Sequence, residues 1–210
     1  MCYNLIKVKT MKDYENIANN IIKRIYPYLI TDLKNFYKKS FAKKTIAELG
    51  TGPGHVLEEL LKENFEKVYG IDISLEMLVR AKIRNASHNN LQLINANVES
   101  LPFKDNSLDL IISRGSIFFW KNLDKALREI YRVIKYDGFV LVGGGYGIST
   151  PESIVEDILS NFKKGVSKNN KPKLDIDNIV SIMNSIGGKT EIITKPKHGF
   201  WIAWTKKSTE

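Results

Sequence analysis

Glu48, Gly50, Gly52 and Gly54 stand at alternate positions in the stretch TIAELGTGPGHVLEEL, with Thr51 inside the glycine run; the next apolar run, KVYGIDI, carries Asp72 near its end. Alternate glycines let a bound group approach the backbone closely, because no Cβ stands in the way. A carboxylate one strand–helix–strand unit further on can accept from both hydroxyls of a ribose, although an Asp capping the following helix has the same position. These residue types in this order describe a nucleotide site. A dinucleotide fold wants glycines spaced G-x-G-x-x-G/A, and His55 takes the third place here, where its ring obstructs helix–strand packing. A phosphate-binding loop wants a Lys-Ser/Thr pair after the glycines, and none follows.

Further along, Ser113-Arg114-Gly115-Ser116-Ile117-Phe118-Phe119-Trp120 closes an almost wholly apolar run. An arginine at a strand end can clamp a carboxylate or phosphate bidentately, on a substrate or on the amino-acid end of a cofactor, or it can pair with a nearby Asp or Glu. Phe118, Phe119 and Trp120 can wall a pocket, with core packing expected for at least two of them. His55, His88 and His198 are scattered without cysteines or paired carboxylates at ligand spacing, so no metal is expected. His55 is placed to touch a bound tail, and the other two are expected to face solvent.

The elements that must position these residues alternate. Thr45–Gly50 reads as a strand and His55–Glu63 as its helix; Lys67–Ile73 is a second strand, followed by a helix capped by Ser74. Leu91–Val98 and Leu108–Ser113 are strands three and four, the latter apolar enough to be central and buried on both faces. Asn122–Ile134 is helical, and Asp137-Gly138 turns into a fifth strand, Phe139–Gly143. Ser153–Phe162 and Ile176–Ile186 are helices, and Glu191–Lys195 with Phe200–Lys206 form an antiparallel edge. The expected fold is α/β: a doubly wound, mostly parallel seven-stranded sheet with helices on both faces. It is expected as one domain, with residues 1–44 a helical cap interrupted at Pro27, residues 45–143 the binding core, and residues 144–210 a lid loop, last helix and edge strands.

Four segments in order resemble the class I S-adenosylmethionine-dependent methyltransferases, of the small-molecule type. Glu48-x-Gly50-x-Gly52-x-Gly54 is similar to that family's E/D-x-G-x-G-x-G, and Asp72 to its ribose-binding acid. Asn95-Ala96-Asn97-Val98-Glu99-Ser100-Leu101-Pro102-Phe103 is similar to D-A-x-x-L-P-F. Leu127-Arg128-Glu129-Ile130-Tyr131-Arg132-Val133-Ile134-Lys135 with Asp137-Gly138 resembles L-R-E-x-x-R-V-L-K-P-G-G. The resemblance runs over Ile46–Val142 and implies S-adenosylmethionine as cofactor, bound by Glu48, Gly50, Thr51, Gly52 and Gly54. It implies Asp72 on the ribose and Ile73 packed on the adenine. Asn97, standing where the family has Asp, would accept from the adenine amino group without charge assistance, and the Val98 backbone N–H would donate to the ring. The Ser113 carbonyl would accept from the cofactor ammonium. Asp13-Tyr14-Glu15-Asn16-Ile17-Ala18 resembles the lead-in Y-D-x-I-A, in which an N-terminal helix closes over the cofactor, so Tyr14 joins Arg114 as a catalytic candidate.

Composition bounds the partners. At 210 residues with 43% hydrophobic and 26% charged side chains, the chain has enough apolar matter for one substantial core. No apolar run reaches membrane-spanning length, and MCYNLIKVKTMKDY lacks a signal-peptide core, which points to the cytoplasm. The single cysteine, Cys2, excludes an intrachain disulfide. The net charge of +9 admits RNA or protein as acceptor, but its lysines are spread along the whole chain. Neither the (N/D/S)-P-P-(Y/F) motif of amine-directed nucleic-acid enzymes nor a cysteine nucleophile near the motifs is present, which argues against the common nucleic-acid chemistries; with no extra RNA- or protein-recognition domain in the sequence, a small-molecule acceptor is expected. A non-catalytic cofactor-binding protein is the alternative of a different class.

Overall fold

The computed structural model describes residues 22–163 and 174–207. A 3₁₀ turn, Ile22–Ile25, opens into α1 (Tyr26–Tyr37). The remaining elements are β1 (Thr45–Leu49), α2 (His55–Leu60), β2 (Lys67–Asp72), α3 (Leu75–Arg84), β3 (Leu91–Asn95) and β4 (Leu108–Arg114). They continue with α4 (Leu123–Val133), β5 (Ile134–Gly145), α5 (Glu152–Lys163), α6 (Ile176–Ile186), β6 (Lys189–Lys195) and β7 (Gly199–Thr205). Tyr14 and the lysine-rich connector lie outside the described residues.

The strands form one seven-stranded sheet in the order β3-β2-β1-β4-β5-β7-β6. The pairs from β3 to β5 are parallel, and β7 runs antiparallel to both β5 and β6. The expected doubly wound sheet is therefore present. Strand order reverses between β1 and β4, so a crevice opens at their carboxyl ends.

Alternating side chains divide the core between the two faces. Ile46, Leu110, Ile112 and Leu141 point toward α1 and α2, where Ile25, Leu29, Leu33, Leu57 and Leu60 cover them. Ala47, Leu49, Ile111, Val140 and Val142 point toward α4 and α6, against Leu127, Ile130, Ile179 and Met183. Leu108 to Ser113 are all buried, as a central parallel strand requires. At the end of the sheet away from the crevice, the Asp109 carboxylate accepts from the Thr45 amide and hydroxyl and from Lys44 and Lys135. Burial pushes its pKa up, but those hydrogen bonds outweigh burial and hold it below the usual carboxylate range.

Several boundaries depart from expectation for local reasons. At Pro27 the 3₁₀ turn gives way to α1, and the proline stands in the first turn of that helix, where a missing N–H costs nothing. The first strand and its helix end earlier, at Leu49 and Leu60, and the third strand ends at Asn95, leaving Asn97 in a turn that donates Ser100 N–H to the Asn97 carbonyl. The fifth strand begins at Ile134, not Phe139. Asp137 and Gly138 form an irregularity inside it, with Asp137 at φ 56° and its amide donating to the Lys206 carbonyl at 2.8 Å.

Candidate functional site

At the carboxyl ends of β1, β2 and β3 lies a cleft of about 290 Å³ lined by Gly50, Gly52, Asp72, Ile73, Asn97 and Val98. Phe119, Trp120 and Lys121 close it from the segment after β4. Six of the ten expected cofactor residues thus come together around one cavity. Glu48, Thr51, Gly54 and Ser113 stand behind its wall.

The glycine loop is held by Asp72. One carboxylate oxygen accepts from the Gly52 amide at 2.8 Å and the other from the Ser74 amide at 2.9 Å, while the Ser74 hydroxyl caps α3. Both readings of Asp72 therefore coexist geometrically: it orders the entry to α3 and it faces the cleft, with lone pairs left for further donors. Ile73, next in sequence, is 69% exposed at the cleft.

The three glycines differ in what they approach. Gly50, at φ 71°, has the Ser116 Cβ 2.2 Å from where its own would stand, so it packs against the segment after β4. Gly54, at φ 82°, lies against Ala81 and Asn85 of α3 and its end. Gly52, at φ 53°, has nothing within 4 Å; its open side belongs to the cleft. Gly52→Ala is expected to cost the fold only about 1 kcal/mol, the left-handed backbone penalty, yet to weaken S-adenosylhomocysteine binding on the order of tenfold or more by filling the cradle. Gly50→Ala should instead lower the melting temperature sharply, because a core contact must move. Thermal unfolding beside calorimetric titration separates the two.

Behind the loop, Glu48 is buried and accepts from the Thr51 hydroxyl at 2.5 Å. Burial pushes its pKa up to about 8, against the opposing pull of Thr51, Arg114 and the Leu57 backbone amide; the Asp72 charge adds to the rise. The Ser113 hydroxyl donates to the Leu49 carbonyl at 2.9 Å and lies 2.7 Å from that of Ser116, which also bonds Leu49 and accepts the Trp120 indole N–H at 3.1 Å. These short links tie β1, the end of β4 and the aromatic wall into one unit.

The loop after β3 is braced from below. Asn97 Oδ1 accepts from the Glu99 amide at 3.0 Å, and Glu99 in turn accepts from the Asn122 amide at the start of α4. Arg132 donates to the Leu101 and Phe103 carbonyls, and Glu129 accepts from the Leu101 amide at 2.9 Å. The L-R-E-x-x-R segment, which carries no chemistry of its own, thus fixes the turn that presents Asn97 and Val98.

Arg114 ends β4 half-buried. Its Nε donates to the Gly145 carbonyl at 3.0 Å, and its guanidinium carbon lies 5.2 Å from the centre of the Tyr26 ring. No ion pair joins it to an Asp or Glu among the described residues. His55 stacks on the same Tyr26 ring at 5.6 Å. Burial drops its pKa to about 3, helped by the charges of Arg84, Lys23 and Arg114. Of the aromatics, Phe118 packs on Phe200 away from the cleft, whereas Phe119 and Trp120 line it. His198 is not solvent-facing: it is buried, with its ring nitrogens 2.9 Å from the carbonyls of Pro196 and Thr150. His88 is half-buried. Among the described residues no cluster of three metal-ligating side chains occurs. Likewise, no described helix is long and apolar enough to cross a membrane.

Ser116, Lys121 and Met77 also line the cleft and carried no signal in the sequence beyond their place after a motif. A reversed strand order, an acid at the end of β2 and an open glycine together define a Rossmann-like fold with a nucleotide-sized cleft. Residues 47–142 match the methyltransferase-domain family. An uncharacterised protein of Methanocaldococcus jannaschii is 31% identical over 94% of this chain and 75% of its own. A solved structure from Methanococcus maripaludis, provisionally described as an S-adenosyl-L-methionine-dependent methyltransferase, superposes with a TM-score of 0.77 at 29% identity, covering 95% of this chain and 93% of that one. The zebrafish mitochondrial arginine-hydroxylase NDUFAF5 is 38% identical over 49% of this chain, which spans only 31% of that relative's length. The chain belongs to the class I S-adenosylmethionine-dependent methyltransferases, and S-adenosylmethionine is its cofactor.

Proposed function

We propose that the protein transfers a methyl group from S-adenosylmethionine to a small-molecule acceptor. The observation that carries this reading is the cleft at the β1/β4 switch point, where Asp72, the open side of Gly52 and the exposed Ile73 meet. Asp72 would hold the ribose, Ile73 and Val98 would flank the adenine, and the Asn97 side-chain oxygen and Val98 amide would read its edge. Glu48 and the Ser113 carbonyl would serve the ammonium end. The cofactor, when bound, supplies an already activated methyl carbon on a sulfonium. What remains for the chain is to hold an acceptor in line at about 3–3.5 Å and keep water out. Phe119 and Trp120 supply the apolar wall for that exclusion.

Calorimetry with S-adenosylmethionine, S-adenosylhomocysteine and NAD tests the reading. The first two are expected to bind and NAD to give no heat; the reverse pattern would sink it. The arginine-hydroxylase relative favours a second reading, action on a protein side chain. Mass spectrometry of candidate proteins after incubation distinguishes an added methyl from an added oxygen. An RNA acceptor, which the charge of +9 admits, would show as a salt-sensitive gel shift.

A further inference from the structure

We propose that Arg114 is the seat of an anionic acceptor: a carboxylate of the substrate lies end-on against its Nη groups, in the polar cluster formed with Tyr26, His55 and Tyr146. This rests on the methyl-transfer reading above and names the chemistry of the molecule that receives the methyl.

Position comes first. Arg114 is the last residue of β4, and Ser116, two residues on, lines the cofactor cleft. In a doubly wound sheet the ligands gather at this end of the strands beside the switch point. Orientation follows from its contacts. The Nε–H is engaged by the Gly145 carbonyl at 3.0 Å and the plane is set by Tyr26. That leaves the Nη edge, whose paired N–H groups match the two oxygens of a carboxylate.

Charge comes next. A guanidinium is well matched to a carboxylate, which it can hold by two parallel hydrogen bonds. Among the described residues Arg114 meets the Gly145 carbonyl and the Tyr26 ring, and no Asp or Glu lies at ion-pair distance from it. The two other cations acting on His55, Lys23 and Arg84, both pair with Glu58, at 3.5 and 3.7 Å. Arg114 therefore has no carboxylate partner among the described residues, and its planar Nη edge fits the two oxygens of a carboxylate.

A second observation is independent of Arg114. The His55 imidazole is only 4% exposed, yet neither ring nitrogen has a hydrogen-bond partner among the described residues. Such a group costs about 1–3 kcal/mol when left unsatisfied. Stacked on the same Tyr26 ring and held neutral, it offers one donor and one acceptor to a bound polar molecule. Tyr146 follows Gly145 directly and feels the Arg114 charge. The cluster is fixed in place: Asp32 of α1 accepts from the Ile148 and Ser149 amides, and His198 bridges the same loop to the β6–β7 turn.

The test uses the full chain saturated with S-adenosylhomocysteine, titrated with acetate, benzoate and inorganic phosphate and followed by ligand-observed NMR. Carboxylates are expected to bind in the millimolar range and phosphate more weakly; Arg114→Met should lower carboxylate affinity on the order of tenfold, with Arg114→Lys intermediate. S-adenosylhomocysteine affinity should stay within about threefold in both variants. Carboxylate binding unchanged in Arg114→Met, or phosphate preferred, overturns the proposal. So does a loss of S-adenosylhomocysteine affinity with 5′-methylthioadenosine affinity intact, because the guanidinium then holds the cofactor's own carboxylate. Failure of the unsubstituted protein to bind S-adenosylhomocysteine is a different result, and it overturns the methyltransferase reading beneath.

Discussion

Asp72→Ala is expected to lower S-adenosylhomocysteine affinity by about two orders of magnitude, the loss of two charge-assisted hydrogen bonds at about 1.5 kcal/mol or more each. The structure adds a second consequence. The same carboxylate accepts from Gly52 and Ser74, so its removal frees the glycine loop from the start of α3. The alanine variant should therefore also melt earlier. Asp72→Asn separates the effects: its side-chain oxygen can keep one of the two backbone bonds, so stability is largely retained while ribose binding is lost. Calorimetry and thermal unfolding on both variants check this. A variant that lost stability but bound S-adenosylhomocysteine normally would leave Asp72 as a loop brace alone.

Glu48 supplies the second large effect, and its sign can be worked out. Its carboxyl is kept protonated up to a pKa of about 8 by burial. If it serves the cofactor ammonium as proposed, binding requires the ionised form, so affinity rises with pH from 6 and levels off above 8, by at most about tenfold per pH unit. One proton should leave on binding below that pH, visible as a heat that varies with the ionisation enthalpy of the buffer. The stability of the free protein moves the other way. The folded pKa lies above the unfolded one, so the contribution is fully present below about pH 4.5, falls as pH rises, and is lost once pH passes about 8. Glu48→Gln should flatten both profiles. Retention of the pH-dependent affinity in Glu48→Gln would assign it to another group.

The nucleotide-binding half of this site could be read from residue types and short spacings. Strand, alternate glycines, helix and a following acid are local patterns, and each local choice constrains the next, so the sheet and Asp72 fell where expected, whereas Asn97, expected within the third strand, lies in the turn after it. What escaped depended on partners distant in sequence. Asp32 and the amide of Ile148 are 116 residues apart, and His198 reaches back 48 residues to Thr150. A lone histidine or aspartate carries no periodic signal, so burial of His198 and the role of Asp32 emerge only when the chain is folded. The same holds for Arg132. Its place in a helix-and-turn motif was evident, but its grip on the loop carrying Leu101 and Phe103 was not. Asp137 shows the converse: a local turn signal was real, but pairing with β7 absorbed it into a continuous strand.

Asp32 receives two amides of the segment after β5 on its two oxygens, and it is itself almost fully enclosed. Amides held by a buried carboxylate exchange with solvent deuterium more slowly than those of a free loop. The Ile148 and Ser149 amides should thus be among the slow exchangers of the molecule, in step with the central strands. The segment that begins at Gly145, the partner of Arg114, is then ordered when the chain folds, before any acceptor arrives. Discrimination between acceptors would rest on fit to a rigid surface, with little entropy left to lose on their arrival.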